Sequence, residues 1–154
     1  APYHYDLVRP GIGLYGGSPN PGDPKGFEAV VTWHAQVIEL QQVRAGDTIG
    51  YGGSYVAPRQ LSVATIGLGY ADGYLRALSG RGEVLVEGHR CPIVGRVSMD
   101  LITVDVSAVK DIKEGTWVEM MGPAVSLDAV AQKGNTIGYE CLTRLGDRLE
   151  RVIV

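Results

Sequence analysis

The sequence predicts a mainly β domain, closed as a barrel or a sandwich, with one or two short helices near the C-terminus. Three observations predict it. Of 154 residues, 22 are Gly and 8 are Pro, without a collagen-like period, which is the chemistry of short strands joined by tight turns. Strand-like runs follow one another closely, about eight by their alternation and turn signals. Helical periodicity is scarce before residue 125. Closure is the expected arrangement because it hides strand edges.

The elements follow in order. Residues 3–16 (YHYDLVRPGIGLYG) hold a short apolar stretch broken at Arg9-Pro10-Gly11, and the Gly/Pro cluster at 17–24 reads as a linker or boundary. Ala29 to Leu40 is a β-prone run long enough to bend or bulge. Arg44 to Asp47 is a turn, and Thr48 to Tyr51 a short strand. Leu61 to Leu68 alternates as a strand. Glu83 to Val86 and His89 to Val94 flank Glu87-Gly88, a hairpin signal. Val97 to Val106 reads as one long strand. Glu114-Gly115 turns into a strand over Trp117 to Met121. Ser126 is placed to cap a helix over Leu127 to Gln132 that stops at Gly134. Thr136 is placed to cap a second over Ile137 to Leu145, ended by Gly146.

Composition excludes several classes of function. With 14 Lys+Arg against 17 Asp+Glu the net charge is −3, so no basic face recommends nucleic acid. No run reaches about 18 apolar residues, the length a membrane-spanning helix needs. The N-terminus lacks a signal-peptide pattern. Cys91, Cys141, His4, His34 and His89 share no metal-ligand spacing, so no metal site is expected. Two buried thiols in a reducing cytosol is the plain reading of the cysteines.

Eight Tyr against one Phe brings many hydroxyls that need partners. Three Gly-rich clusters could use them. In Gly50-Tyr51-Gly52-Gly53-Ser54-Tyr55, flanking glycines permit unusual backbone angles and leave Tyr51 uncovered; a Gly-rich hairpin with Tyr51 as surface cover is the bland alternative. Gly67-Leu68-Gly69-Tyr70-Ala71-Asp72-Gly73-Tyr74 ends a strand in turn chemistry. It lacks the third glycine and the helix of a nucleotide motif. Gly95-Arg96-Val97-Ser98-Met99-Asp100 is, by itself, compatible with a core Met99 and an Asp100 paired with an arginine.

Taken together, RPGIGLYG (9–16), GYGGSY (50–55), IGLGYADGY (66–74), PIVGRVSMD (92–100) and TIGYE (136–140) resemble, in order and spacing, the C-terminal part of an alanine racemase. The resemblance runs over essentially the whole chain. It implies a pyridoxal-phosphate (PLP)-dependent isomerase that interconverts L- and D-alanine for peptidoglycan synthesis, cytoplasmic and homodimeric. It implies a C-terminal-domain-like β-barrel over 26–154, preceded over 1–25 by the tail of an N-terminal α/β barrel and the crossing between the two.

The family's roles carry over residue by residue. Tyr51, 19 residues before Tyr70, matches the catalytic tyrosine, which reaches the partner subunit's cofactor. Racemisation takes a proton from one face of the α-carbon and returns one to the other, so two opposed acid–base groups are needed. The family uses this tyrosine and a PLP-binding lysine. A free tyrosine ionises near pH 10, so it needs a positive or hydrogen-bonding neighbour to act as a base. Met99 is implied in the substrate pocket, with its backbone near the substrate carboxylate. Tyr70 is implied to line the way into the site, and Asp100 to hold the nearby loop. Arg9 is implied to donate to the pyridine nitrogen without giving up its proton, although a solvent-facing salt bridge is its bland alternative. Gly11 and Ile12 are implied to offer amides to the phosphate, and Tyr139 its hydroxyl; a tyrosine packed in a short helix is the alternative there.

Two departures stand out. Many relatives carry Cys-Met-Asp-Gln where this chain has Ser98-Met99-Asp100-Leu101. None of Lys25, Lys110, Lys113 and Lys133 matches the lysine motif of the family, so the chain by itself is expected to be inactive. Two other readings stay open at this point: a racemase of other or broad amino-acid specificity, and a non-catalytic β-barrel binding module.

Overall fold

The computed structural model describes residues 5–20 and 26–153. Eight strands appear among them: β1 (Trp33–Val43), β2 (Thr48–Ile49), β3 (Tyr55–Val56), β4 (Leu61–Ile66), β5 (Glu83–Val86), β6 (His89–Pro92), β7 (Ile102–Asp105) and β8 (Trp117–Met121). Two short helices follow, α1 (Leu127–Lys133) and α2 (Gly138–Thr143). Six strands form one antiparallel sheet in the order β6-β5-β8-β1-β4-β7. Its two ends come back together: Ile93, just past β6, bridges Val104 of β7, and Val94 N donates to the Thr103 carbonyl at 2.9 Å. The sheet is thus a nearly closed barrel, and the expected mainly β class with two late helices is what forms.

β1 shows why the long run bends. Trp33, Ala35 and Val37 point inward and His34, Gln36 and Ile38 outward, the period-2 pattern of a half-buried strand. Between Val37 and Glu39 the pairing with β4 shifts by one residue. This bulge leaves Ile38 and Glu39 both exposed and re-aims the strand, so that Val43 joins a second, smaller core with Ile49, Ala57, Leu61, Val63 and Val94. The main core fills the barrel with Val37, Ala64, Ile66, Val84, Val86, Ile102, Val104, Val118 and Met120, all at or near zero exposure. Ile12, from a 3-10 turn over Ile12–Tyr15, packs into the same core.

The hairpin between β5 and β6 turns on Glu87 (φ 46) and Gly88 (φ 77), both left-handed as a two-residue hairpin with matched twist requires. Ser126 Oγ accepts from Ala129 N at 3.2 Å and so caps α1 as expected. Gly134 follows α1 as expected, in right-handed conformation, and lies close to the tip of the Leu75 side chain.

Two expectations are corrected. The strand over Val97 to Val106 starts only at Ile102, because Ser98 closes a turn on Leu101: its amide and Oγ both donate to the Leu101 carbonyl, at 3.0 and 2.9 Å, and Leu101 N donates to Oγ at 3.0 Å. The second helix is shorter than Ile137 to Leu145, and its cap is Ile137 rather than Thr136. The Thr136 hydroxyl bonds to the Glu140 carboxylate instead. The GYADGY stretch, read as turn chemistry, forms a 3-10 turn over Tyr70–Asp72, and a further one covers Arg76–Leu78. The expected crossing at 17–24 falls partly outside the described residues.

Cys91 and Cys141 are free and buried, and burial pushes each thiol up to about 11. Each thiol therefore holds its proton more tightly when folded than when unfolded, where it ionises near 9. The folded state loses stability as pH rises from that value towards about 11. Urea midpoints measured across this range fall, and part of the fall disappears in a Cys91→Ala, Cys141→Ala double variant. An undiminished fall in that variant contradicts the thiol assignment.

Candidate active site

The site is built where loops meet backbone to backbone. β2 ends at Ile49, and Gly50 then takes φ 79, ψ 175, a conformation essentially confined to glycine. This sets the following turn, Tyr51–Gly53, away from the sheet and leaves the Tyr51 ring 77% exposed. Gly95, also left-handed at φ 79, lies directly against Gly50. A side chain on Gly50 would come within 3.1 Å of Arg96 N, and one on Gly95 within 3.0 Å of the Ile49 carbonyl oxygen. The GYGGSY and GRVSMD motifs are thus two faces of one contact. A side chain on Gly52 would meet Arg96 Nη1 at 3.7 Å.

The GYADGY motif joins them on the other side. Tyr70 N donates to the Ser98 carbonyl at 3.0 Å and Ala71 N to the Met99 carbonyl at 2.9 Å. A side chain on Gly69 would sit 2.3 Å from the Met99 carbonyl oxygen; its φ of −154 is ordinary extended backbone, so space alone demands glycine here. The turn at Ser98–Leu101 presents Met99, 53% exposed, and Asp100. Met99 is therefore not the core residue of the plain alternative. Asp100 Oδ1 accepts from Arg148 Nη1 at 2.8 Å, the arginine partner that sequence reading anticipated without identifying. Tyr70 is also exposed. Tyr51 and Tyr70 therefore stand on two loops that each pack against the 95–101 segment carrying Met99.

Arg9, Gly11, Ile12 and Tyr139 form a second group. Arg9, two residues before Gly11, is exposed. Gly11 precedes the Ile12–Tyr15 turn, and the amides of Gly11 and Ile12 donate to no acceptor among the described residues. Tyr139, half exposed on α2, sets its hydroxyl against Gly11, where a side chain would lie 2.4 Å from Oη. Ile12 is buried, and Gly138 packs near its Cδ1. Two residues that join motifs escaped the sequence reading. Asp72, buried, accepts from Gly69 N at 2.8 Å, and Arg148 reaches both Asp72 and Asp100. The turn signal at Asp72-Gly73 was legible, but nothing local marks Arg148, 48 residues from Asp100. Lys133 is held in an ion pair with Glu83 at 2.7 Å.

Residues 30–153 match the family model of the alanine racemase C-terminal domain. This chain belongs to that family. An alanine racemase of Methylobacterium nodulans is 46% identical over 149 residues, 96% of this chain and 40% of that protein. A catabolic alanine racemase of Rhizobium johnstonii is 48% identical over 151 residues, 97% of this chain and 40% of that protein. The alanine racemase of Bartonella henselae, solved with covalently bound pyridoxal phosphate, superposes with a TM-score of 0.89 at 44% identity, covering 97% of this chain and 42% of that one. The chain thus spans about two-fifths of the length of the alanine racemases it matches.

If backbone contact at Gly69 fixes the loops, Gly69→Ala destabilises the fold by about 1–3 kcal/mol, the usual cost of overpacking. Gly88→Ala, with open space around it, costs only its turn strain, about 1 kcal/mol. Chemical denaturation of both variants checks the order; an equal or smaller loss at Gly69 contradicts the contact.

Proposed function

We propose that this chain is the C-terminal part of an alanine racemase that interconverts L- and D-alanine by two-base proton transfer at PLP, with Tyr51 as one of the two bases. The observation that carries the reading is Tyr51 itself: a phenol lifted out of the β domain on a glycine-set turn, with no hydrogen-bond partner among the described residues, beside the loops of Tyr70 and Met99. A tyrosine serving as surface cover needs neither the Gly50 conformation nor the glycine contact beneath it. The alanine racemase names of the relatives favour alanine over a broader substrate range.

The residues present suit the phosphate end of the cofactor. Gly11 and Ile12 leave two amides free at the start of a 3-10 turn, and the Tyr139 hydroxyl occupies the space beside Gly11. Unbonded N–H groups near a hydroxyl suit an anion, and a side chain on Gly11 would fill the space beside that hydroxyl. The covalently bound pyridoxal phosphate of the Bartonella relative supports PLP as the cofactor. When bound, PLP supplies an electron sink that makes the α-proton of an amino acid removable. Arg9, whose guanidinium has donors and no acceptor, would donate a hydrogen bond to the pyridine nitrogen. The lysine opposite Tyr51 comes from the N-terminal barrel, and these 154 residues alone do not racemise alanine.

Tyr51 Oη removes or returns the α-proton on one face, and the lysine serves the other. Tyr51 acts on the site of the dimer partner, which explains why it projects away from its own domain. The Met99 backbone holds the substrate carboxylate, and Tyr70 lines the passage to it. The enzyme works in the cytoplasm, and its D-alanine supplies peptidoglycan.

Exchange of the α-proton for solvent deuterium, started separately from each enantiomer in the full-length enzyme, tests the role of Tyr51. Tyr51→Phe slows exchange from one enantiomer by about 10²–10⁴ and leaves exchange from the other, served by the lysine, largely intact. Equal slowing for both, or none, contradicts the assignment.

A further inference from the structure

The stretch that follows α2 lies against both loops that carry Tyr70 and Met99. Gly146 N donates to the Asp72 carbonyl at 2.9 Å. A side chain on Gly73 would come within 2.0 Å of the Arg144 carbonyl oxygen, so the 70–73 turn and this stretch touch backbone to backbone. Two residues past Gly146, Arg148 places Nε 3.2 Å from Asp72 Oδ1 and Nη1 2.8 Å from Asp100 Oδ1. One planar guanidinium therefore holds a carboxylate from each loop.

The two carboxylates differ in what they need. Asp72 is only 6% exposed, and a buried charge requires partners. Its Oδ2 takes the Gly69 amide at 2.8 Å and its Oδ1 takes Arg148, so its carboxylate ties the start of its own loop to the C-terminal stretch. The Asp100 and Arg148 side chains are 51% and 55% exposed. An exposed pair of this kind contributes little to global stability, so its consequence is local. It sets the spacing between the Tyr70 turn and the Met99 turn. The guanidinium hydrogen-bonds Asp100 with one nitrogen and pairs with Asp72 through another, which a lysine ammonium on a flexible stem does not reproduce.

We propose that Arg148 is a positioning residue that locks the Tyr70 and Met99 loops into one rigid unit through Asp72 and Asp100. Its consequence for catalysis rests on the racemase reading above: the locked unit presents Tyr70 and Met99 to substrate, so loosening it weakens substrate binding more than the chemical step.

The test uses the full-length holoenzyme with Arg148→Ala, and with Arg59→Ala as a control that removes an ion pair to Asp105 and a hydrogen bond to the Gln60 carbonyl, neither of which involves the Tyr70 or Met99 turns. Amide hydrogen exchange and steady-state kinetics are read on both. In Arg148→Ala, exchange at the Tyr70 and Ala71 amides rises about fivefold or more while the β1 and β4 amides keep their protection. KM for alanine rises by a similar factor and kcat stays within about twofold. Arg148→Lys restores neither fully, and Arg59→Ala changes neither. A local rise in exchange with KM unmoved supports the lock and overturns the placement of Tyr70 and Met99 at the substrate. Unchanged exchange at Tyr70 and Ala71, or a loss of protection spread evenly over β1 and β4, overturns the lock.

Discussion

Backbone touches backbone where the loops at this end of the barrel meet, and the rest of the site depends on that contact. Gly50 lies on Gly95, and Gly69 lies on the Met99 carbonyl. A single methyl group on Gly69 enters space already held by main-chain atoms, and one on Gly50 or Gly95 presses tightly on them. Side chains can shift to relieve a clash, but paired main chains move only with their whole loop. The spacing of the loops is therefore set at ångström scale, although Tyr51, Tyr70 and Met99 are themselves exposed. The barrel supplies a rigid base for this stack: β4 leads into Gly67-Leu68-Gly69, and β7 begins directly after the Ser98–Leu101 turn.

The expected site residues fall into two groups that serve different ends. Tyr51, Tyr70 and Met99 share the stacked loops. Arg9, Gly11, Ile12 and Tyr139 gather around the 3-10 turn and α2, where Ile12 anchors the early chain in the domain core. On the proposed reading the second group serves the cofactor of its own subunit and the first group serves that of the partner. The alanine racemases that this chain matches are more than twice its length, and on that reading the additional length holds the barrel that would complete both sites.

Much of this was legible in the sequence, for reasons that differ by element. The β5–β6 hairpin could be placed because Glu87-Gly88 has few other uses between two alternating runs. The α1 cap could be placed because a serine before an apolar stretch satisfies free helix amides. The Val97 to Val106 strand misled because apolar and β-branched residues look the same in a strand and in a turn closed by a serine hydroxyl. That closure depends on Ser98 finding Leu101, which the pattern does not encode. Tyr51 stood out as exposed only through its glycines; the stacking of those glycines on Gly95 joins segments 45 residues apart and needed coordinates. Arg148 was invisible for the same reason, since its meaning lies wholly in two distant carboxylates.

Complementation in mixed dimers tests most directly whether Tyr51 serves a neighbouring subunit. A full-length Tyr51→Phe subunit keeps its lysine, and a full-length subunit without the cofactor lysine keeps its Tyr51. Each homodimer is impaired. Co-expression as a mixed dimer restores one working site, built from the lysine of the first subunit and the Tyr51 of the second, and alanine racemisation returns. If the mixed dimer forms and stays as impaired as its parents, Tyr51 does not act across the interface.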